Sequence, residues 1–125
     1  MTRRILVIDD EEAIHVLMQA ALEIIAGWQV IGASSAADGL EKAQALQPDA
    51  ILLDVMMPGV DGPAAFRQLQ ATPATQQIPV ILLTAKARNG ERRALEALGV
   101  AGVITKPFEP ELMASQIATL LQWSD

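Results

Sequence analysis

At 125 residues and 13.4 kDa the chain has the commonest size for a single domain, so one folded unit over residues 1–125 is expected, with about two thirds of the unfolded surface buried. A hydrophobic share of 51% with 19% charged residues excludes a disordered or collagen-like chain, and the absence of Cys excludes disulfides, a thiolate nucleophile and a cysteine-type zinc site. Nine Lys and Arg against 15 Asp and Glu leave a net charge of −6, the wrong sign for following a phosphate backbone, so no direct nucleic-acid partner is expected. No apolar run approaches the ~18 residues of a membrane span, and the chain reads as cytoplasmic with no membrane partner.

In chain order, Ile5-Leu6-Val7-Ile8 is an undivided apolar run too short for a helix, which predicts a strand buried on both faces. Ile14, Leu17, Met18, Ala21, Leu22 and Ile25 then step by three and four, the stripe of a first helix, with Glu11 and Glu12 suited to its N-terminus. Val30-Ile31 marks a second strand. Ser35 and Asp38 resemble a capping box for a second helix through Leu46, closed by Pro48. Ala50-Ile51-Leu52-Leu53 is the third strand, and Gly62-Pro63 opens a short third helix ending near Gln70. Val80-Ile81-Leu82-Leu83 is the fourth strand and Glu91 to Leu98 the fourth helix, stopped by Gly99. Val103-Ile104 gives the fifth strand, and Pro110 starts a last helix with Met113, Ile117, Leu120 and Leu121 as its buried stripe. Strands alternating with helices predict an α/β, doubly wound (βα)5 fold whose parallel strands all end at one edge.

The residues just past the strands are therefore brought to that edge: Asp9 and Asp10, Asp54, Thr84 and Lys106. If the strand order is 2-1-3-4-5, the order reverses between the first and third strands, and Asp9, Asp10 and Asp54 flank the crevice there. Carboxylates so close repel by ~4 kcal/mol per pair at 4 Å and an effective dielectric of 20, so a cation should sit among them. Mg²⁺ suits the need, because it is held by one or two carboxylates together with phosphate oxygens. Lys106 brings a point charge and Thr84 a hydroxyl for a phosphoryl group, and a carboxylate can accept one as an aspartyl-phosphate. Asp54 is the candidate nucleophile.

Val7-Ile8-Asp9-Asp10-Glu11, Leu52-Leu53-Asp54-Val55-Met56-Met57-Pro58-Gly59-Val60-Asp61-Gly62, Leu83-Thr84-Ala85 and Thr105-Lys106-Pro107-Phe108 together resemble the receiver domain of two-component response regulators. The resemblance implies the flavodoxin-like fold of order 2-1-3-4-5 and phosphorylation of Asp54 by a histidine kinase or histidine phosphotransfer protein. It implies Mg²⁺ on Asp10, Asp54 and the backbone carbonyl of Met56, with Asp9 assisting through water. Thr84 and Lys106 would hold the phosphoryl group, and the Lys106-Pro107 bond would be cis. Met56 and Lys86 would modulate access of water to the acyl phosphate, and the face made by the fourth helix, fifth strand and fifth helix would meet partners.

The sequence also departs from the family pattern. Val103 stands where the family often carries an aromatic residue, so a weak switch is expected. Ala101 and Gly102, with no basic residue from Glu109 to Asp125, speak against the salt-bridged dimer of the DNA-binding subfamily. His15 has no second His or Cys near it in sequence and is expected at a surface or boundary, while Met56, Met57, Trp28 and Trp123 are expected in packing. Two other readings stand beside the phosphorylation switch: a receiver-like interaction module that does not cycle phosphate, and a small phosphatase or nucleotide-binding domain. The last lacks a second Asp two residues after Asp54 and a Gly-rich first loop.

Overall fold

The computed structural model describes residues 2–57, 59–85 and 89–123. Its five strands are β1 (Arg4–Ile8), β2 (Gln29–Ala33), β3 (Ala50–Asp54), β4 (Val80–Thr84) and β5 (Gly102–Thr105), all parallel in one sheet of order β2-β1-β3-β4-β5. The helices are α1 (Glu12–Met18, continuing as a π-helical segment Gln19–Ile25), α2 (Ala36–Leu46), α3 (Gly62–Ala71), α4 (Asn89–Glu96) and α5 (Pro110–Leu121). This is the flavodoxin-like (βα)5 fold. Among the described residues no helix is long and apolar enough to cross a membrane.

Successive strand residues point to opposite faces, which is why the central strands are apolar at every position. Leu6, Ile8, Leu53 and Leu82 pack with Phe66 and Leu69 of α3 on one face, and Ile5, Val7, Leu52 and Ile81 pack with Met18, Leu22, Met113 and Ile117 on the other. The helix starts reflect local chemistry. Ser35 Oγ accepts from the Asp38 amide at 3.1 Å and Asp61 Oδ1 from the Ala64 amide at 2.9 Å, each satisfying an N-terminal donor. Trp28 and Trp123 meet edge to face at 5.5 Å with Arg3 over the Trp123 ring, sealing the rim between β2 and α5.

Two boundaries differ from expectation. The helix predicted over Glu91 to Leu98 lies two residues earlier, at Asn89–Glu96, and Gly99 serves the next turn with φ +97°. The first helix loosens after Met18, and the wider i→i+5 turn rotates its end off the apolar stripe. Ile25, expected in the core, is consequently 55% exposed beside an exposed Ile24.

Candidate functional site

The parallel sheet delivers four side chains to the carboxyl edge. Asp9 comes directly after β1, Asp54 and Thr84 are the last residues of β3 and β4, and Lys106 comes directly after β5. Asp9, Asp54 and Thr84 are fully buried, an unusual position for two carboxylates. The Lys106 amide donates to the Thr84 carbonyl at 2.7 Å, extending the β4–β5 ladder by one residue and turning the lysine inward. The Lys106-Pro107 bond is cis.

The half-buried Lys106 ammonium is the hub of the site. Its Nζ lies 3.2 Å from Asp54 Oδ1, 3.7 Å from Asp9 Oδ2 and 3.8 Å from Glu11 Oε1. Burial pulls the lysine's pKa down, but the charges of Asp54 and Asp9, the hydrogen bond to Asp54 and the charge of Glu11 outweigh it and leave the ammonium more basic than usual. Asp9 is displaced in the same sense by different causes. Burial raises its pKa first, Asp54 and Glu11 add repulsion, and the Glu11 amide and Lys106 only partly offset them.

Each Asp9 group has a distinct assignment. Its amide donates to the Ala33 carbonyl at 3.0 Å, its Oδ1 accepts from the Glu11 amide at 2.9 Å, and its carbonyl accepts from His15 Nε2 at 2.7 Å. Oδ2 is buried with no hydrogen-bond partner among the described residues. Such an oxygen is held in place yet undersatisfied, which favours a cation. One carboxylate oxygen each from Asp9, Glu11 and Asp54 lies within 4.8 Å of the others, so this donor set of hard oxygens fits a divalent ion of the Mg²⁺ type.

The structure thus brings together Asp9, Asp54 and Lys106, with Thr84 buried at the neighbouring strand end. It does not bring Asp10 into the carboxylate group. Asp10 is exposed and lines a neighbouring cleft with His15, Ser34 and Asp38, because the turn closed by Asp9 Oδ1 and the Glu11 amide sends Glu11, not Asp10, back over the site. Glu11 is the residue that sequence reasoning assigned only to the helix terminus. Its signal was the run of four acids from Asp9, read with the two-residue reach of an Asx turn. The Met56 amide donates to Asp54 Oδ1 at 3.3 Å, while its side chain is exposed and Met57 alone packs in the core. The expected role of Lys86 lies outside the described residues.

Residues 5–118 match the family model of the response regulator receiver domain, and the chain belongs to that family. Proteins of this family are phosphorylation-dependent signalling switches of two-component systems and interact with histidine kinases. The chain is 38% identical over its whole length to the alkaline phosphatase synthesis transcriptional regulatory protein PhoP of Bacillus subtilis, of which it covers 51%. It spans about half the length of that relative and of the regulator RpaA of Synechocystis, covering 50% of the latter. It is 35% identical to protein PilH of Pseudomonas aeruginosa, covering 94% of this chain and 97% of PilH. Chemotaxis protein CheY4 of Vibrio cholerae superposes with a TM-score of 0.87 at 26% identity over 96% of this chain and 99% of its own. The receiver domain of sensor histidine kinase PA1611 from Pseudomonas aeruginosa, solved with a magnesium ion in the active-site cleft, gives 0.81 at 28% identity over 98% of both chains.

Proposed function

We propose that residues 1–125 form one receiver unit in which Asp54 takes a phosphoryl group from a phosphohistidine of a histidine kinase or phosphotransfer protein, in the cytoplasm and with Mg²⁺. The observation that carries the reading is the ammonium of Lys106 standing between two buried carboxylates that arrive from different strands. An Asp54 carboxylate oxygen attacks phosphorus, the P–N bond of the donor breaks, and its electron pair stays on the imidazole nitrogen. Lys106 turns from the carboxylate to a phosphoryl oxygen, and the Thr84 hydroxyl donates to another. Water later attacks phosphorus and breaks the P–O bond to Asp54, releasing inorganic phosphate and restoring the carboxylate. The domain turns over its own modification and no external substrate.

Asp9, Asp54 and Glu11 are the carboxylates whose positions fit the metal, while Asp10 and the Met56 carbonyl are ligands that the family resemblance supplies. When bound, the ion supplies positive charge against the phosphoryl oxygens. With net charge −6 this segment makes no direct contact with nucleic acid. Val103, buried where an aromatic residue is common, favours a second reading in which the phosphorylated form differs little from the free one and the domain acts through a fixed surface.

The test is intact mass after incubation with acetyl phosphate, with and without Mg²⁺, for the chain and for Asp54→Asn. A single phosphate adduct that requires Mg²⁺ and vanishes in Asp54→Asn is expected. An adduct that survives in Asp54→Asn would overturn the assignment. No adduct from either acetyl phosphate or a phosphorylated histidine phosphotransfer protein would favour the fixed-surface module.

A further inference from the structure

We propose that His15 is a positioning residue for the acidic site, fixing Asp9 through its backbone carbonyl, and that Gly32 is the seat which lets the imidazole reach it. The proposal rests on the reading of Asp9 as part of a divalent-cation site. His15 lies one turn into α1, and its Nε2 is 2.7 Å from the Asp9 carbonyl oxygen. A carbonyl has no hydrogen to give, so Nε2 carries the proton and donates. That donor is present in the neutral ring and in the charged one, so the role needs no titration.

The other side of the ring rests on β2. A Cβ at Gly32 would come 2.9 Å from His15 Nδ1 and 3.3 Å from Cε1, closer than the ring tolerates in place. Gly32 is not among the residues of positive φ, so the backbone does not demand glycine there. A glycine inside a strand weakens it and commonly marks a close approach, here by the imidazole. β2 thus gives up a side chain where His15 crosses to Asp9.

The consequence falls on the carboxylates. The peptide after Asp9 carries the bonded carbonyl on one side and leads through Asp10 to Glu11 on the other. The turn from Asp9 Oδ1 to the Glu11 amide spans that same peptide. A rotation of the peptide would move Asp9 Oδ2 and Glu11 relative to Asp54, and the His15 bond opposes it. Partners that orient a ligand without touching the ion commonly matter about tenfold or more in metal affinity.

The test measures Mg²⁺ affinity by calorimetry on the full chain, with the urea midpoint in Mg²⁺-free buffer recorded for each variant. In His15→Gln the amide nitrogen can take the place of Nε2, whereas in His15→Asn it falls near Nδ1 and cannot reach. His15→Ala, His15→Asn and Gly32→Ala are expected to weaken Mg²⁺ binding about tenfold, and His15→Gln to stay near the parent. Gly32→Ala should add nothing in the His15→Ala background. Equal losses in the Gln and Asn variants, unchanged affinity in His15→Ala, or losses that merely track the urea midpoint would overturn the proposal. A long-range nitrogen-15 spectrum reads the bond without metal, and a proton on Nδ1 in place of Nε2 overturns it alone. A parent that shows the Nε2 proton but binds no Mg²⁺ would instead sink the cation-site reading, and the positioning role with it.

Discussion

Lys106 Nζ stands 3.2 Å from Asp54 Oδ1 across 52 positions of sequence, and this contact closes the site. The lysine's raised pKa means that its stabilising contribution is complete below the ordinary value of 10.5 and is lost as pH climbs through the higher folded value. Lys106→Met leaves Asp9 and Asp54 facing each other without a cation. In Mg²⁺-free buffer at neutral pH it should lower the unfolding free energy by about 1–3 kcal/mol. Added Mg²⁺ should restore most of that by binding the folded state alone, while phosphorylation by acetyl phosphate stays slow. Urea titrations with and without the ion check both halves, and an unchanged midpoint without metal would mean that the ammonium compensates nothing.

Asp9 gives the opposite pH signature to an ordinary salt-bridged carboxylate. Its folded pKa is raised above 3.8, chiefly by burial, so between that value and the folded pKa the native state binds the extra proton. Stability contributed by this group therefore rises as pH falls through the window and is lowest at neutral pH. Asp9→Asn should be more stable than the parent at pH 7 without metal, and the gap should narrow as pH approaches 4. Unfolding midpoints at a series of pH values in chelator decide it, since the carboxylates remote from Asp9 contribute alike to both proteins. A gap that widens on acidification would contradict the burial argument.

The strands and the two-sided burial of the sheet were legible because the strand runs are apolar at every position, whereas the strand order came with the family resemblance. The expected convergence of Asp9, Asp10, Asp54, Thr84 and Lys106 came from parallel topology alone, and Asp10 is the member that the structure leaves outside the carboxylate group. What periodicity could not deliver was the direction of consecutive side chains once β1 had ended. Asp9 and Asp10 are chemically identical, and only the turn closed by Asp9 Oδ1 decides which faces inward and where Glu11 goes. The same limit hid His15, whose partner is a backbone carbonyl and whose seat is a missing side chain at Gly32. The exposure of Ile25 was invisible for another reason, because the expected stripe assumed 3.6 residues per turn throughout.

β5 ends the sheet, so its outer carbonyls need covering, and Arg92 of α4 supplies one cover. Its guanidinium donates to the Val103 carbonyl at 3.1 Å and to Thr105 Oγ1 at 3.4 Å, with Glu96 3.8 Å away on its own helix. This ties α4, through Val103, to the strand that leads into Lys106. Arg92→Ala should cost about 0.5–1.5 kcal/mol, and Arg92→Lys should recover only part, because an ammonium cannot span two acceptors as the planar fork does. Hydrogen exchange over α4 should accelerate in both. Unchanged exchange there would show that α4 is held by its apolar contacts alone.

Two glycines near the site separate backbone clashes from side-chain ones. A Cβ at Gly62 would meet Val55 Cα at 2.6 Å and the Asp54 carbonyl oxygen at 2.9 Å, both fixed backbone atoms next to the proposed phosphoryl acceptor. At Gly39 the contacts are with side-chain atoms alone, Ile8 Cδ1 nearest, Cγ1 at 2.7 Å and Cγ2 at 3.2 Å, so the buried isoleucine must repack while the backbone stays in place. Gly39 lies inside α2, where alanine would otherwise gain about 1 kcal/mol over glycine, whereas Gly62 is the first residue of α3. Gly62→Ala should destabilise by about 1–3 kcal/mol, because the loop carrying Met56 must lift off β3. Gly39→Ala should cost less. The two also separate in function: lifting that loop shifts Asp54 relative to Lys106, so phosphorylation by acetyl phosphate should slow in Gly62→Ala and remain near the parent rate in Gly39→Ala. Equal rates in the two variants would mean that the loop adjusts without moving Asp54.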